Sequence, residues 1–403
     1  MRALIVATGW NNRGALATSR ALVRTGWEVG CATWDSKGLL ATSRSVSHRH
    51  RSPPPTTDLE GFVAAIGAAV GAMSYEAVLP SSDAETFALS LLRDRLPVPL
   101  PYPSHEAVLG AFDKLELTRA AAGCGIGTPW TTPATEAAVA GVEGPVVVKV
   151  RFHWNPEAVG MPGRWRTYVC ADQQEARRRV AQLRAAGGDP LLQELVRGPL
   201  LHCHVLVDRG GRLVTAVQQR SEPATETPLT WPPGAGVRTR SITVPLDGEL
   251  VERITLLLRR LGWFGFVGLM FIVGADGVPR LVDFNGRIPM SFQQSIAAGP
   301  TLPDLWARVA AGRPVGAAPA VRTGVRYQWL WGDLRRAVAE GRGGRVADVL
   351  GCLAYARGAS HGIWSSQDPW PAIRSWQRNL GRLAGPLPKA PRPGGGRSVI
   401  RVP

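Results

Sequence analysis

Cysteine is scarce and scattered: Cys31, Cys124, Cys170, Cys203 and Cys352 include no Cys-x-x-Cys pair. That spacing excludes a zinc ribbon or a dense disulfide scaffold and points to reduced thiols, as in a cytoplasm. No apolar run reaches the roughly 18 uninterrupted residues that a membrane span requires. The apolar part of the N-terminus is too short for a signal peptide and reads as a first strand. The first turn, Gly9-Trp10-Asn11-Asn12-Arg13-Gly14, lacks Gly-x-Gly-x-x-Gly spacing, so a dinucleotide site is unsupported. Acidic residues are few, 31 against 47 basic ones, for a net charge of +16. The excess is almost all arginine, dispersed and without aromatic interleaving. It reads as the surface of an Arg/Ala/Gly/Pro-rich sequence, and a nucleic-acid partner is not expected.

What is present suffices for two or three packed units: 403 residues, 45% of them hydrophobic. Up to about residue 108, strands at Leu4–Ala7, Trp27–Thr33 and Tyr75–Leu79 alternate with helices at Arg13–Arg24 and Leu59–Val70. This rhythm predicts a parallel sheet with helices on both faces. Asp83, just past a strand end, reads equally as a ligand position or as the N-cap of the helix that follows. Farther on, 112–119 starts one helix, 145–150 is a strand, and 151–166 is a glycine-containing loop. Leu201–Val207 and Leu213–Gln218 form a hairpin around Gly210-Gly211. Residues 312–385 form a tryptophan-rich extension that packs on the main body, and the basic, Pro/Gly-rich 386–403 should be disordered.

Chemistry concentrates in Arg280–Arg287, Arg-Leu-Val-Asp-Phe-Asn-Gly-Arg. On a strand, Asp283 and Asn285 point to one face. A carboxylate beside an amide oxygen is a hard site that suits Mg²⁺, and Arg287 beyond it suits phosphate or carboxylate. A solvated strand end is the alternative. Lys149, at the end of a β-branched run, is costly to bury unless it meets an anion such as phosphate. Gln193-Glu194-Leu195-Val196 reads either as a core strand or as a hinge offering backbone groups and an apolar slot to a flat base. His202-Cys203-His204 invites a metal, but on a strand the histidines face one side and Cys203 the other, so they cannot converge as ligands. Cys203 has no triad partners. His48–Arg51 reads as a solvated run at a strand end.

Asp113-Lys114, Val147–Lys149, Gln193–Gly198, the hairpin leading to Arg220, and Val282–Arg287 stand in one order. The series resembles the ATP-grasp superfamily, which includes biotin carboxylase, the large chain of carbamoyl-phosphate synthetase and D-alanine–D-alanine ligase. The resemblance covers about residues 1–310. It implies an α/β chain: a parallel-sheet pre-ATP-grasp domain over 1–108, then a two-lobed α+β ATP-grasp domain over 109–311. The lobes would span 109–190 and 191–311 with a hinge near 194–198. By the same resemblance, Lys114 and Lys149 hold ATP phosphates, Gln193, Glu194, Leu195 and Val196 contact adenine, and Asp283 and Asn285 ligate Mg²⁺. Arg287 and Arg220 are catalytic, and residues 155–163 fall where the family has its lid.

Three positions depart from the family. Asp283 replaces glutamate, Gly286 replaces proline and makes the turn looser, and Met270 stands where a first metal-binding Glu or Gln is usual. The implied reaction activates a carboxylate as an acyl phosphate with ATP and Mg²⁺, or Mn²⁺ in its place, and passes it to an amine or thiol. The partners are then small carboxylates and amines, with a homodimer compatible and no membrane. Met270 favours an alternative, an ATP-binding regulatory or scaffold protein that has lost turnover.

Overall fold

The computed structural model describes residues 1–383 except Pro97, 155–166, 223–238, Pro300 and 341–342. The first sheet holds β1 (Arg2–Val6), β2 (Glu28–Thr33), β3 (His48–Arg51) and β4 (Ala77–Pro80). Its order is β3-β2-β1-β4, parallel throughout. Helices α1 (Arg13–Arg24), α2 (Leu59–Met73) and α3 (Asp83–Leu91) connect the strands. Each starts at a side chain that accepts a backbone N–H, namely Asn12, Asp58 and Ser82. Ser82 therefore caps α3, and Asp83 is left free for other work.

His48–Arg51 is a strand in its own right rather than a solvated run. Its alternation turns the two histidines inward, to Glu28 (2.6 Å) and the Tyr75 hydroxyl (2.8 Å), and leaves both arginines exposed. A short, charged strand is a common guard for a sheet edge.

The expected helix from 112 is two helices, α4 (His105–Phe112) and α5 (Lys114–Ala122). They are broken at Asp113, whose extended backbone and carboxylate cap α5. A small antiparallel sheet follows, in the order β5 (Thr131–Pro133), β8 (Pro190–Glu194), β6 (Val146–Val150), β7 (Tyr168–Cys170). With α6 (Glu136–Ala140) and α7 (Gln173–Ala185) it encloses its own core around Val148, Val180, Leu183 and Leu192.

The largest sheet contains β9 (Leu200–Val207), β10 (Leu213–Ser221), β11 (Arg240–Val244), β12 (Gly265–Val273), β13 (Pro279–Asn285), β14 (Arg326–Gln328) and β15 (Ala359–His361). The order is β13-β12-β9-β10-β11-β14-β15. One face packs on α5 and on α8 (Gly248–Arg260) through Ile254, Leu257, Val205 and Leu269. The other packs at one end on α9 (Phe292–Ala297) and α10 (Leu302–Ala310), through Phe292 and Trp306. The tryptophan-rich segment does more than lie on the surface. It adds β14 and β15 to this sheet, followed or flanked by α11 (Leu330–Glu340), α12 (Arg345–Ala356) and α13 (Trp370–Leu383). Buried Asp333 fastens it to β11 by an ion pair with Arg240 (2.6 Å), and Arg336, one turn on in α11, shares the carboxylate (2.9 Å). Among the described residues no helix is long and apolar enough to cross a membrane.

Candidate nucleotide site

The edge strand β13 is not regular. Leu281 lies opposite Phe271 and Asp283 opposite Met270, so Val282 is an extra residue, a β-bulge. The bulge keeps Leu281 and Phe284 in the core while Asp283 and Asn285 share the other face. The Val282 carbonyl accepts a hydrogen bond from Lys149 Nζ at 3.2 Å, which ties the small sheet to the large one.

A chain of polar contacts runs outward from there. Asn285 Nδ2 approaches Asp283 Oδ2 at 3.4 Å, and Arg287 Nη2 donates to Asn285 Oδ1 at 2.7 Å. Arg287 Nε donates to Asp83 Oδ1 at 3.0 Å, and His153 Nδ1 lies 3.1 Å from Asp83 Oδ2. Burial alone would raise the Asp83 carboxyl, but Arg287 and His153 hold it well below the usual carboxylate range. Lys114, at the start of α5, is positioned by its capping neighbour Asp113, which Arg151 clamps at 2.6 Å.

Both lysines are buried. Burial lowers Lys114, against the pull of Asp283, Asp83 and Asp113. Burial and the neighbouring Lys114 bring Lys149 down to about 7, opposed by Asp283. Asp83, Lys114, His153 and Asp283 line one narrow cleft with Phe87, Phe112 and Trp154. Two ammonium groups and a guanidinium thus converge beside a carboxylate–amide pair, an arrangement suited to a polyanion carrying a divalent cation. The pair fits Mg²⁺, which takes one or two protein oxygens and completes its shell from water and phosphate. Among the described residues no group of three or more His, Cys, Asp or Glu could hold a metal, His202 and His204 included.

No family model and no curated protein matches the sequence. Solved structures do match. The biotin carboxylase domain of the 2-oxoglutarate carboxylase from Hydrogenobacter thermophilus, in complex with MgADP, ADP and bicarbonate, superposes with a TM-score of 0.62 at 14% identity, over 81% of this chain and 73% of that one. N5-carboxyaminoimidazole synthetase from Staphylococcus aureus, complexed with ADP, gives 0.62 at 11% identity over 85% and 84%. An L-amino acid ligase from Bacillus licheniformis gives 0.58 at 14% identity over 77% and 74%. These are ATP-grasp enzymes. The chain has the ATP-grasp fold.

Within the ATP-grasp frame, the stretch Gln193–Val196, expected as a hinge, has mixed surroundings. Gln193 is buried and spends its amide on Thr131 Oγ1 at 2.8 Å, inside the small sheet. Exposed Glu194 bonds with Trp130 through its backbone N–H (2.8 Å) and its carboxylate (3.2 Å). Leu195 is half-buried, and Val196 joins an apolar cluster with Leu200, Ile272, Met270 and Val282. Met270 is therefore a packing residue beside Val196.

Arg220 does not join the ATP-grasp cleft. Directly paired residues share a face, and the register runs Asp283–Met270–His202–Gln219. Arg220, one step on, is exposed on the opposite face beside Leu201 and Ile242, and Gln219 occupies the inward position. The arginine that ends the hairpin is out of phase with the site by one residue. Gly286 is likewise not a loosened turn. A Cβ there would lie 2.4 Å from the buried ring of Trp263, so the indole fills the space and proline would clash. The expected lid at 155–163 lies outside the described residues.

The sequence reading missed the Asp83–His153 and Asp113–Arg151 pairs. Each joins residues far apart in the chain, and the one available signal was Asp83 at a strand's C-terminal end.

Proposed function

We propose that this chain is an ATP-dependent ligase that activates a carboxylate as an acyl phosphate and joins it to an amine. The observation that carries this reading is the grouping of Lys114 and Lys149, from two other elements, around the Asp283–Asn285–Arg287 series at the end of β13. Lys114 and Lys149 would neutralise phosphate charge, and Gln193–Val196 would border the adenine. Asp283 and Asn285 would hold Mg²⁺ or Mn²⁺, which supplies further charge neutralisation on phosphate oxygens. Arg287, oriented by Asp83, would stabilise charge on the transferred phosphoryl group or on the substrate carboxylate. Such transfer needs positioning and electrostatics rather than a protein nucleophile. Arg220 has no role in this assignment. Residues 1–108 would serve as the pre-ATP-grasp domain, 109–311 as the ATP-grasp domain with its hinge near 194–198, and 312–385 as an extension. A homodimer working in a cytoplasm is consistent with this reading.

Met270 supports a second reading. A soft thioether packed against Val196 leaves the usual first metal position without a hard ligand, which would suit a protein that binds ATP without turning it over. Mg·ATP binding, followed by ADP release with pooled L-amino acids, tests both. The ligase reading expects Mg²⁺-dependent binding that Asp283→Ala and Lys149→Ala each weaken strongly, and ADP release that depends on added substrate. Binding without release would establish the second reading, and no binding at millimolar ATP would end both.

A further inference from the structure

A second pocket lies apart from the ATP-grasp cleft. Strands β1 and β4 are parallel, and Asp83 follows the C-terminal end of β4. Helix α1 runs back from that edge, so its last turn sits at the opposite edge of the first sheet. There Arg20 and Arg24, one turn apart on α1, meet Gln293 of α9 and Trp364, Ser365 and Ser366 from the stretch after β15. These side chains line a solvent-facing pocket of about 280 Å³, and none of them lines the cleft. No carboxylate belongs to the lining.

The two arginines have different tasks. Arg20 is spent on the protein: it pairs with Asp368 at 2.9 Å and donates to the Ile363 and Asp368 carbonyls at 2.8 and 2.7 Å. These bonds clamp the 363–368 turn to α1 and so build a wall of the pocket. The Asp368 carboxylate also accepts from Ser43 Oγ at 2.5 Å and from the Arg44 N–H at 3.2 Å, which leaves it little capacity for another cation. Arg24 has no carboxylate partner among the described residues. Burial lowers the pKa of Arg20, against the pull of Asp368, and the like charge of Arg24 lowers it further. Gln293, Ser365 and Ser366 make no side-chain hydrogen bond among the described residues. Trp364, 54% exposed, offers an apolar ring to the same space. A guanidinium and two hydroxyls on separate elements suit the three acceptor oxygens of a phosphate better than the two of a carboxylate. An amide that both donates and accepts, beside an exposed indole, suits a body that carries hydroxyls on an apolar ring. We propose that this pocket binds a small phosphate monoester of the sugar-phosphate class, with its phosphate at Arg24 and the two serines and its body over Trp364 and Gln293. The site is separate from the ligase reading of the cleft and does not depend on it.

The test is calorimetric titration of the full chain with ribose 5-phosphate, glucose 6-phosphate, glucose and inorganic phosphate at equal ionic strength. At least one sugar phosphate should bind with a Kd of about 1 mM or lower, about tenfold or more tighter than inorganic phosphate, and glucose should not bind. Arg24→Gln should weaken that binding about tenfold or more, and Trp364→Ala about three- to tenfold. Both side chains are exposed, so the Tm of the unliganded protein should hold in each variant. Asp283→Ala, which alters the cleft, should leave sugar-phosphate binding unchanged. No binding of either sugar phosphate at about 10 mM overturns the proposal. So does inorganic phosphate that binds as tightly as the sugar phosphates, or binding that survives Arg24→Gln. Binding lost in Asp283→Ala also overturns it, because the ligand would then lie in the cleft.

Discussion

The small sheet and the large sheet both reach the cleft, and they are held there differently. The large sheet presents Asp283, Asn285 and Arg287 in a bonded series that ends on Asp83 of the first sheet, so these groups are fixed before any ligand arrives. The small sheet has its own core and offers Lys149, whose ammonium donates to the Val282 carbonyl and whose charge burial has weakened. One side of the cleft is pre-organised, and the other holds a buried lysine that among the described residues has a carbonyl but no ion-pair partner. The contrast suggests that ligand energy is used on the small-sheet side, where a phosphate would restore a full ammonium.

The strongest way to break this contrast is Asp283→Ala. It should lower kcat/KM for substrate-dependent ADP release by about 10²- to 10³-fold, the scale for removing a key electrostatic group, with steady-state ADP assays as the check. Lys149→Ala should weaken Mg·ATP binding by about 10²-fold in calorimetry, close to the 3 kcal/mol end of charged hydrogen bonds.

Asp83→Asn should cost about tenfold in kcat/KM by freeing Arg287, with ATP affinity nearly unchanged. An equal loss of ATP affinity would mean that the first sheet shapes the nucleotide site directly.

Gly286→Pro restores the residue usual in the family, yet it should destabilise the chain by about 1–3 kcal/mol because Trp263 cannot yield without strain. Chemical denaturation would read that loss.

A further effect is on pH. Lys149 sits at about 7 in the folded protein against an ordinary 10.5, so between those values the unfolded chain binds more protons. Stability of the free protein should then rise with pH from about 7 upward, and this part of the slope should vanish in Lys149→Met. ATP binding should run the opposite way, weakening above pH 7 as it must bring a proton to Lys149.

The site's local half was legible in the sequence because strand periodicity is local: Asp283 and Asn285 two apart, with Arg287 after one glycine. Lys149 was legible because a lysine ending a β-branched run is out of place. Lysine is rare here, Lys37, Lys114, Lys149 and Lys389 being the whole set; Lys114 lines the cleft and Lys149 is buried beside it on Val282. What escaped depends on register and on distant partners. No sequence pattern marks Val282 as an extra residue, and without cross-strand pairing Arg220 and Gln219 cannot be assigned to faces. Gly286 looked like slack because Trp263, which fills its place, lies 23 positions earlier. The strand β14 escaped because three residues beside tryptophans carry no clear period. β3 escaped because a His-Arg alternation is polar at every position and shows no buried side.

The joining of the C-terminal segment to the first helix has a consequence for biosynthesis. Leu16 of α1 packs with Ile363 and Ala372, and Arg20 finds its carboxylate at Asp368, 348 residues later. At translation speeds of roughly 5–20 residues per second, that face of α1 stays bare for roughly 20–70 s after it leaves the ribosome. A nascent chain released before residue 368 would present an apolar stripe with uncompensated arginines, the kind of surface that chaperones bind, so truncated products should be retained by the cell's quality control rather than accumulate as soluble fragments.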